Sequence, residues 1–229
     1  MKLLLTFLLT LPLFAADPNT LTPEEKAEGW QLIFNGRDMS TFRAAGSEAR
    51  PGAGWKVDDG VLKKLRGIPG GNIVTKQKFK DFMLIWEWRI SENGNNGIKY
   101  LVDEKRSAPG PEFQLLDDKG HPDAKVGPQR QTGALYDIFP PAADKLLKPV
   151  GEWNRSRIYV QGNHVEHWVN GSPVLSYELG SEELAAGIAK SKFKGIEGFA
   201  SKIEGPIMLT DHGDECWFRS MKIRPGLHK

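Results

Sequence analysis

A glutamate within a strongly alternating segment is the first candidate for acid–base chemistry. Residues 81–90 alternate with the two-residue period of a β-strand, and large apolar side chains occupy one side. Glu87 and Arg89 fall on the other side together with Met83 and Ile85. A face that combines apolar and charged side chains suits a sugar cleft, because it offers a stacking surface and polar anchors. A solvated outer face with a Glu–Arg pair explains the same pattern equally well.

A second glutamate occupies an equivalent position in another alternating segment. Residues 112–117 place Glu112 and Gln114 on the side that faces away from the core. Retaining glycosidases hold two carboxyl groups about 5–5.5 Å apart, and inverting enzymes hold them about 6.5–9.5 Å apart. Neighbouring strands lie about 4.8 Å apart, so adjacent strands could permit either spacing. Glu87 and Glu112 could therefore form the carboxylate pair of a conventional glycoside hydrolase, if their strands are neighbours.

The elements that must position these side chains are predicted to be mostly β-strands. Strand-type segments recur along the chain, and Asp59-Gly60 and Asn170-Gly171 mark hairpin turns between them. Helical signals are confined to a short stretch after Thr22 and to residues 181–190, which Ser181 caps. This pattern predicts an all-β, antiparallel sandwich or jelly roll rather than a βαβ fold.

The first sixteen residues have the composition of a secretory signal peptide. Lys2 is the only charged residue before Asp17, an apolar run follows it, and the small Ala15 and Ala16 end the segment. The run is too short to span the roughly 30 Å of a bilayer core, which needs about 20 residues. We therefore predict that residues 1–16 are a signal peptide and that the mature chain, without a membrane span, is exported to the periplasm or the medium.

The mature chain is predicted to form one domain, with residues 17–29 as a lead-in and residues 30–229 as the sandwich. Cys216 is the only cysteine and permits no internal disulfide, so the domain must be held together by its core. The 31 Lys and Arg residues nearly balance the 29 Asp and Glu residues, leaving a net charge of +2. This balance gives no basic footprint for nucleic acid. The sequence makes no prediction of oligomeric state.

A series of short motifs extends over about residues 30–224. In chain order the motifs are FNGRD (34–38), WKVDDGVL (55–62), LIWEWRI (84–90), GNNGI (94–98), GPEFQLLDD (110–118), TGALY (132–136), GEWN (151–154), HWVNG (167–171), GPIMLTDHG (205–213) and WFR (217–219). Taken together and in this order, they resemble the 3-keto-disaccharide hydrolase domain family.

The resemblance implies both a fold and a reaction. The implied fold is a concanavalin A-like jelly-roll β-sandwich, which agrees with the strand pattern. The implied reaction is cleavage of a glycoside already oxidised at C3, by elimination or hydrolysis at the glycosidic bond. Such chemistry needs a base for the C2 proton and a group that stabilises the enolate oxygen. A divalent metal ion of unknown identity could stabilise that oxygen as a Lewis acid.

The candidates for these roles include two histidines that lie in the matching motifs. We predict Glu112, Glu87 and His167 as catalytic residues, and His167, Asp211 and His212 as metal ligands. The set mixes oxygen and nitrogen donors and does not select one metal. His167 could equally be a hydrogen-bonded histidine of the core, and Asp211 could accept bonds from the backbone of a turn.

A carbohydrate is the predicted partner, and a non-catalytic reading of the same chain remains open. A lectin-like module would use aromatic side chains such as Trp153, Tyr136 and Trp217 as stacking platforms without acid–base chemistry. The enzyme reading needs Glu or His at the floor of the cleft. The predicted substrate-binding residues are Gln114, Arg89, Tyr136, Trp153 and Asn95.

Overall fold

A computed structural model describes residues 17–227 of the chain. The predicted signal peptide and the last two residues of the predicted domain lie outside the described part. Within it, neither α-helix is long and apolar enough to cross a bilayer. The described chain folds mostly into antiparallel strands.

Thirteen strands and two short α-helices make up the described part. Along the chain they are α1 (Pro23–Ala27), β1 (Gln31–Leu32), β2 (Phe42–Ala44), β3 (Trp55–Asp58), β4 (Val61–Lys64), β5 (Ile73–Thr75), β6 (Phe82–Ile90), β7 (Asn95–Lys99), β8 (Glu112–Leu116), β9 (Asn154–Gln161), β10 (His164–Val169), β11 (Ser172–Glu178), α2 (Glu182–Lys190), β12 (Met208–Leu209) and β13 (Cys216–Pro225). Two 3₁₀-helices, Pro122–Lys125 and Pro128–Arg130, lie in the loop after β8.

The strands form two sheets that pack face to face. The large sheet has eight strands in the order β11-β10-β9-β6-β13-β4-β3, with β1 also paired to β13. The small sheet has five strands in the order β2-β5-β12-β7-β8. All the strand pairs are antiparallel. The predicted antiparallel sandwich is confirmed.

The core lies between the inner faces of the two sheets. Buried and partly exposed residues alternate along the whole of β6, as the sequence period predicts. Trp86 from the large sheet meets Phe113 from the small sheet edge to face, with ring centroids 5.1 Å apart. Large apolar side chains from both sheets therefore bury one another and leave each sheet with an outer face.

The turn and cap signals predicted from the sequence are also found. Asp59 and Gly60 join β3 to β4 with positive φ angles of 48° and 71°, a backbone shape that the Asp-Gly pair tolerates. Ser181 caps α2 by accepting a hydrogen bond from the backbone of Leu184. Thr22 and Glu25 form a capping box at α1. Glu25 also pairs with Lys222 of β13, so the lead-in segment packs against the large sheet.

The strands of Glu87 and Glu112 are not neighbours, so the condition for a pair of catalytic carboxylates is not met. Glu87 lies in β6, whose partners are β9 and β13 of the large sheet. Glu112 lies in β8, which pairs with β7 of the small sheet. A two-residue alternation identifies the outward side of each strand but carries no information about which strands pair. The two glutamates therefore occupy the outer faces of different sheets.

Candidate active site

The outer face of the small sheet brings several predicted site residues together. In the register of β7 and β8, Lys99 lies opposite Glu112, and Gly97 lies opposite Gln114. Their neighbours Ile98 and Phe113 point into the core, so this row points outward. Asn95 follows on the same face and accepts a hydrogen bond of 3.2 Å from the Gln114 amide.

Glu112 is the most unusual acid on this face because it is only 5% exposed. Its Oε2 forms an ion pair of 3.3 Å with the Lys99 ammonium. Its Oε1 is buried and has no hydrogen-bond partner within residues 17–227. The Nε2 atom of His212 lies 3.8 Å from this Oε1. Buried polar atoms are normally bonded, so a free carboxylate oxygen here has bonding capacity for another molecule.

A glycine makes room for this carboxylate. A Cβ atom added at Gly97 would overlap Oε1 of Glu112. The side chain of Glu112 therefore lies directly over the backbone of β7, where only glycine leaves the space that it occupies.

Lys99 and His212 keep the buried carboxyl ionised. Burial by itself raises the pKa of Glu112, but the charge of Lys99 and the neighbouring His212 outweigh it and lower the pKa to about 2. Glu112 is therefore a carboxylate at any pH at which the protein is expected to work. Its free oxygen can accept a proton, and Lys99 and His212 set how strongly it does so.

A pocket of about 480 Å³ opens above this row of residues. His212, which neighbours Glu112, is part of its wall, and so is Asn95. The first 3₁₀-helix and the residues on either side of it contribute a second wall, and the loop after α2 contributes Lys192. The full lining consists of Asn95, His121, Pro122, Asp123, Val126, Tyr136, Lys192 and His212.

Tyr136 is held in the wall of the pocket by an ion-paired network. Its hydroxyl donates a hydrogen bond of 2.8 Å to Oδ2 of Asp123, while Arg130 binds Oδ1 of the same carboxylate at 2.7 Å. The backbone amide of Tyr136 donates to the carbonyl of Glu112 at 3.0 Å. Burial, and next the hydrogen bond to Asp123, raise the pKa of Tyr136 well above its usual range. Tyr136 therefore keeps its proton and serves as a wall and a hydrogen-bonding group.

Lys192 adds a second positive charge to the pocket. Its ammonium lies 4.2 Å from the centroid of the Tyr136 ring, a cation–π contact. Its backbone amide donates to Asp137 at 2.8 Å, which fixes the start of the loop. Burial lowers the pKa of Lys192, although the nearby Glu112 opposes that shift. With Lys99, this places two ammonium groups around one buried carboxylate.

Asp211 supports the pocket from behind rather than lining it. Its Oδ1 pairs at 2.9 Å with Lys64, which is completely buried, and its Oδ2 accepts backbone hydrogen bonds of 2.9 Å from Gly70 and Gly71. Both oxygens of the predicted metal ligand are thus bonded within the fold. The same bonds hold the chain that carries the adjacent His212 next to Glu112.

His167 lies in the core between the sheets and does not line the pocket. Its Nδ1 donates to the Gly133 carbonyl at 2.9 Å, and its Nε2 accepts from the Tyr100 hydroxyl at 2.8 Å. Burial lowers the pKa of His167 to about 4, so the ring is neutral. The structure corresponds to the alternative of a hydrogen-bonded core histidine that the sequence had left open.

The predicted metal ligands do not converge. His167 is in the core, Asp211 is bonded to Lys64, and His212 lies beside Glu112. Across residues 17–227, no three His, Cys, Asp or Glu side chains gather in a way that could hold a metal ion. The Lys99 ammonium already lies against Glu112, where it would repel a cation. The residues of this pocket therefore do not fit a divalent metal site.

Glu87, Arg89 and Trp153 form a separate cluster on the outer face of the large sheet. Arg219 binds Oε2 of Glu87 at 2.6 Å. The guanidinium of Arg89 lies 5.1 Å from the Trp153 ring and 4.6 Å from the Trp217 ring. The structure thus brings Glu112, Gln114, Asn95, Tyr136 and His212 to one face and leaves these three predicted residues on the other.

Sequence reasoning missed the two lysines of the pocket. Lys99 ends a strand, and Lys192 lies in a loop, positions where lysine is usually solvated. The cross-strand register is what places Lys99 opposite Glu112, and it is not visible in the sequence. His121 and Asp123 were also missed, although the predicted long loop that contains them is a usual location for functional groups.

Comparison with known proteins identifies the family. Residues 29–224 match the family model described as the 3-keto-alpha-glucoside-1,2-lyase-like domain. The chain belongs to this family. It is similar to a 3-keto-disaccharide hydrolase from Bacteroides thetaiotaomicron, with 34% identity over an alignment 242 residues long, which covers 92% of this chain and 83% of the relative. The resemblance found in the sequence motifs is confirmed.

Solved structures agree with the assignment to the 3-keto-disaccharide hydrolase family. A crystal structure of a candidate glycosyl hydrolase from Parabacteroides distasonis is similar with a TM-score of 0.82 and 33% identity, covering 91% of this chain and 99% of that one. The exoplasmic/lumenal domain of VIP36 shares only the fold, with a TM-score of 0.52 and 9% identity, covering 89% of this chain and 92% of that one. The predicted concanavalin A-like sandwich is thereby confirmed.

Proposed function

We propose that this protein is an enzyme that cleaves glycosides carrying a ketone at C3, and that Glu112 removes the proton from C2. One observation carries the proposal: a buried, ionised carboxylate, paired with the Lys99 ammonium, keeps one oxygen without a partner among residues 17–227, beside a pocket whose wall includes the Lys192 ammonium. Membership of the 3-keto-disaccharide hydrolase family supports the choice of substrate. A carbon acid next to a ketone needs this combination of base and positive charge.

The proposed first step is an elimination. Glu112 takes the proton from C2, and the electrons of the C2–H bond form the C1=C2 double bond through an enolate. The C1–O bond breaks, and the leaving oxygen takes up a proton to become an alcohol. Addition of water to the double bond would return a proton to C2 and complete a net hydrolysis.

The neighbouring groups have distinct roles in this proposal. Lys99 or Lys192 stabilises the enolate oxygen that develops from the ketone, since positive charge in a partly dry site stabilises an oxyanion strongly. His212, 3.8 Å from the free oxygen of Glu112, protonates the leaving oxygen. Tyr136 holds its proton too tightly for that task and binds substrate instead. Asn95 and Gln114 supply amide groups for sugar hydroxyls.

Lys99 also adjusts the strength of the base. In the free protein its ion pair is a main reason why the pKa of Glu112 is about 2, which makes Glu112 a weak base. A substrate ketone that attracts the ammonium would loosen this pair. The pKa of the buried Glu112 would then rise, and the base would become stronger when the substrate is in place.

A conventional glycosidase mechanism has less support because it needs a second carboxyl group. Glu87 is on the opposite sheet and is paired with Arg219. Asp123 lines the pocket, but its two oxygens bind Arg130 and Tyr136. A lectin-like function has no use for a buried carboxylate whose one oxygen has no partner. The metal-assisted route was predicted from the sequence, but the donor set does not fit it, so no step here depends on a metal.

The reaction is tested with a matched pair of substrates. Residues 17–229 are incubated with a nitrophenyl 3-keto-glucoside and with its unoxidised parent, each with and without a chelator. We expect nitrophenol to be released from the keto form alone, and we expect the chelator to leave the rate of this release unchanged. Release from both forms would indicate a conventional glycosidase, and release from neither, with measurable sugar binding, would indicate a lectin. Loss of rate with the chelator, restored by Mn, Zn or Ca, would restore the metal-assisted route.

We also propose export through the predicted signal peptide. Expression of the full chain in a bacterial host, followed by mass spectrometry of the recovered protein, tests this directly. A mature chain that begins at Ala16 or Asp17 outside the cytoplasm is the expected result. Intact protein confined to the cytoplasm would refute the proposal.

A further inference from the structure

A second pocket lies on the outer face of the large sheet, on the other side of the sandwich from Glu112. It has a volume of about 530 Å³ and lies over β9 and β10. Its lining consists of Ile85, Lys148, Arg155, Ser156, Arg157, Trp168, Asn170 and Gly171. Three of these residues are cationic, and none is acidic.

The cations of this pocket are not held in salt bridges within the part of the chain that the structure describes. Arg155 and Arg157 take part in no salt bridge within the described residues, and the same holds for Lys148. Glu87 lies opposite Arg155 across the β6–β9 pair, but its carboxylate binds Arg219. The pocket therefore presents positive charge that no salt bridge among residues 17–227 neutralises, although Glu25 interacts electrostatically with Arg155, and Glu166 does so with Arg157.

The acid closest to Arg157 is also engaged elsewhere. Glu166 accepts one hydrogen bond from Trp168 at 2.6 Å, and its other oxygen contacts His164 at 3.0 Å. Burial is the main cause that lowers the pKa of Arg157; Glu166 opposes the shift, and Arg155 adds to it. The two arginines thus carry like charges on one face of β9, and an anion between them would reduce their repulsion.

An aromatic ring lies beside this charge. The guanidinium of Arg157 stacks on Trp168, 3.6 Å from the ring centroid. Stacking fixes the plane of the guanidinium, so that its remaining N–H groups form a fork for a carboxylate. An indole next to such a fork is suited to a sugar ring that carries the carboxylate.

The backbone around the pocket is rigidly held. Asn170 accepts a hydrogen bond of 2.9 Å from the Arg155 amide and donates bonds of 2.8 Å to Leu146 and Asn154. The backbone amide of Asn170 donates to the backbone carbonyl of Arg155 at 2.7 Å. Arg155 and Arg157 therefore extend from a fixed strand end, which lowers the ordering cost of binding.

We propose that this pocket binds a uronic acid residue of an acidic oligosaccharide, with Arg155 and Arg157 on the carboxylate and Trp168 beside the ring. Nucleic acid is a poor fit as the ligand of this site, because the net charge of the chain is only +2 and the three cations of the site lie within one pocket. The pocket would tether acidic glycan chains to the face opposite the candidate active site. This site is independent of the reaction proposed for Glu112.

The test measures oligogalacturonate binding by titration calorimetry in low salt. A neutral oligosaccharide of the same length serves as the second ligand. We expect only the acidic chain to bind. Its affinity should fall by about tenfold or more for Arg155→Gln, and by a further factor of about ten or more for the Arg155→Gln/Arg157→Gln double variant. Lys78→Gln/Lys80→Gln is the matched control, since it removes the same charge from exposed positions elsewhere. Its affinity should stay close to that of the unmodified protein.

Three results would overturn the proposal. They are equal binding of the neutral chain, equal weakening by the control variant, and no binding of the acidic chain. Arg155 is exposed, so Arg155→Gln should fold normally even if the double variant does not. Trp168→Ala is a second test, and its affinity for oligogalacturonate should be lower. In a competition experiment, free galacturonate and acetate should displace oligogalacturonate only weakly. If acetate competes as well as the sugar acid, the pocket takes a small anion and not a saccharide.

Discussion

The two outer faces of the sandwich each carry a glutamate among cations, yet the two carboxylates are held in opposite ways. The side chain of Glu87 is 30% exposed and its Oε2 is bound by Arg219 at 2.6 Å. Glu112 is almost completely buried, pairs with Lys99 through one oxygen and leaves the other oxygen without a partner. Similar residue types in similar strand positions thus give one satisfied surface pair and one unsatisfied buried acid.

The difference indicates where chemistry can occur. A solvent-exposed ion pair contributes little energy and is readily replaced by water. A buried carboxylate whose pKa is set by two competing effects, burial and neighbouring positive charge, responds strongly to any ligand that changes either one. In the proposed reaction the chemistry therefore belongs to the small-sheet face, and the role proposed for the large-sheet face is binding.

The largest effect is expected when the base itself is removed. Glu112→Gln preserves size and removes the proton acceptor, so turnover of a 3-keto-glucoside should fall by about 10²–10⁴-fold. Glu87→Gln is the matched control on the other face and should change turnover by less than about twofold. Steady-state kinetics on both variants measures the contrast. Equal losses would abolish the distinction between the two faces.

Removing the ammonium next to Glu112 should give a smaller loss and a change in pH dependence. Lys99→Met should lower turnover by about 10²-fold, because a charge that stabilises the enolate is lost. The pKa of Glu112 should rise above about 2, since burial remains while its main opposing charge disappears. The acidic limb of the pH–rate profile should therefore move to higher pH. Lys63→Met, which removes a lysine paired with Asp58 on the large sheet, should leave the limb where it is.

The histidine between the sheets should affect stability and hardly affect turnover. His167→Ala leaves the Gly133 carbonyl without its partner and removes one of the two hydrogen-bond partners of the Tyr100 hydroxyl, so the free energy of unfolding should fall by about 2–4 kcal/mol. His164→Ala, on the same strand but partly exposed, should cost less than about 1 kcal/mol. Denaturant titration measures both. A folded His167→Ala protein without activity would return His167 to the catalytic residues.

The same histidine predicts the direction of a pH effect on stability. The folded pKa of His167 is lowered to about 4 from an ordinary value of 6.5. Between these values the unfolded chain binds the proton and the folded chain does not. The stabilising contribution is therefore complete above about pH 6.5 and is lost as the pH falls toward about 4. In the His167→Ala protein this part of the pH dependence should disappear.

Much of the fold could be predicted because it depends on local patterns. The alternation of residues 81–90 identified the buried side of β6, and Asp59-Gly60 identified a hairpin. The same alternation placed Glu112 and Gln114 on an outward side. It could not show which strands lie next to each other, because pairing is decided by packing between distant segments. The proposed Glu87–Glu112 pair failed for that reason.

The candidate site was only partly predictable for a related reason. Asp211 looked available in the sequence because nothing there shows that Lys64 is buried beside it. Lys99 looked like an ordinary surface lysine until the register placed it opposite Glu112. Charges that are decisive in the pocket come from residues that are distant in sequence. A motif identifies the acid, but only the fold identifies what surrounds it.

The most direct test of the central claim follows the hydrogen at C2. A 3-keto-glucoside with ordinary hydrogen at C2 is cleaved in D₂O, and the released keto sugar is analysed by mass spectrometry and NMR. A reaction without protein corrects for spontaneous exchange. If Glu112 removes the C2 proton, the product either carries deuterium at C2 or is the unsaturated sugar that lacks this hydrogen, and Glu112→Gln forms it far more slowly. A product released at full rate with its original hydrogen at C2 would contradict the account.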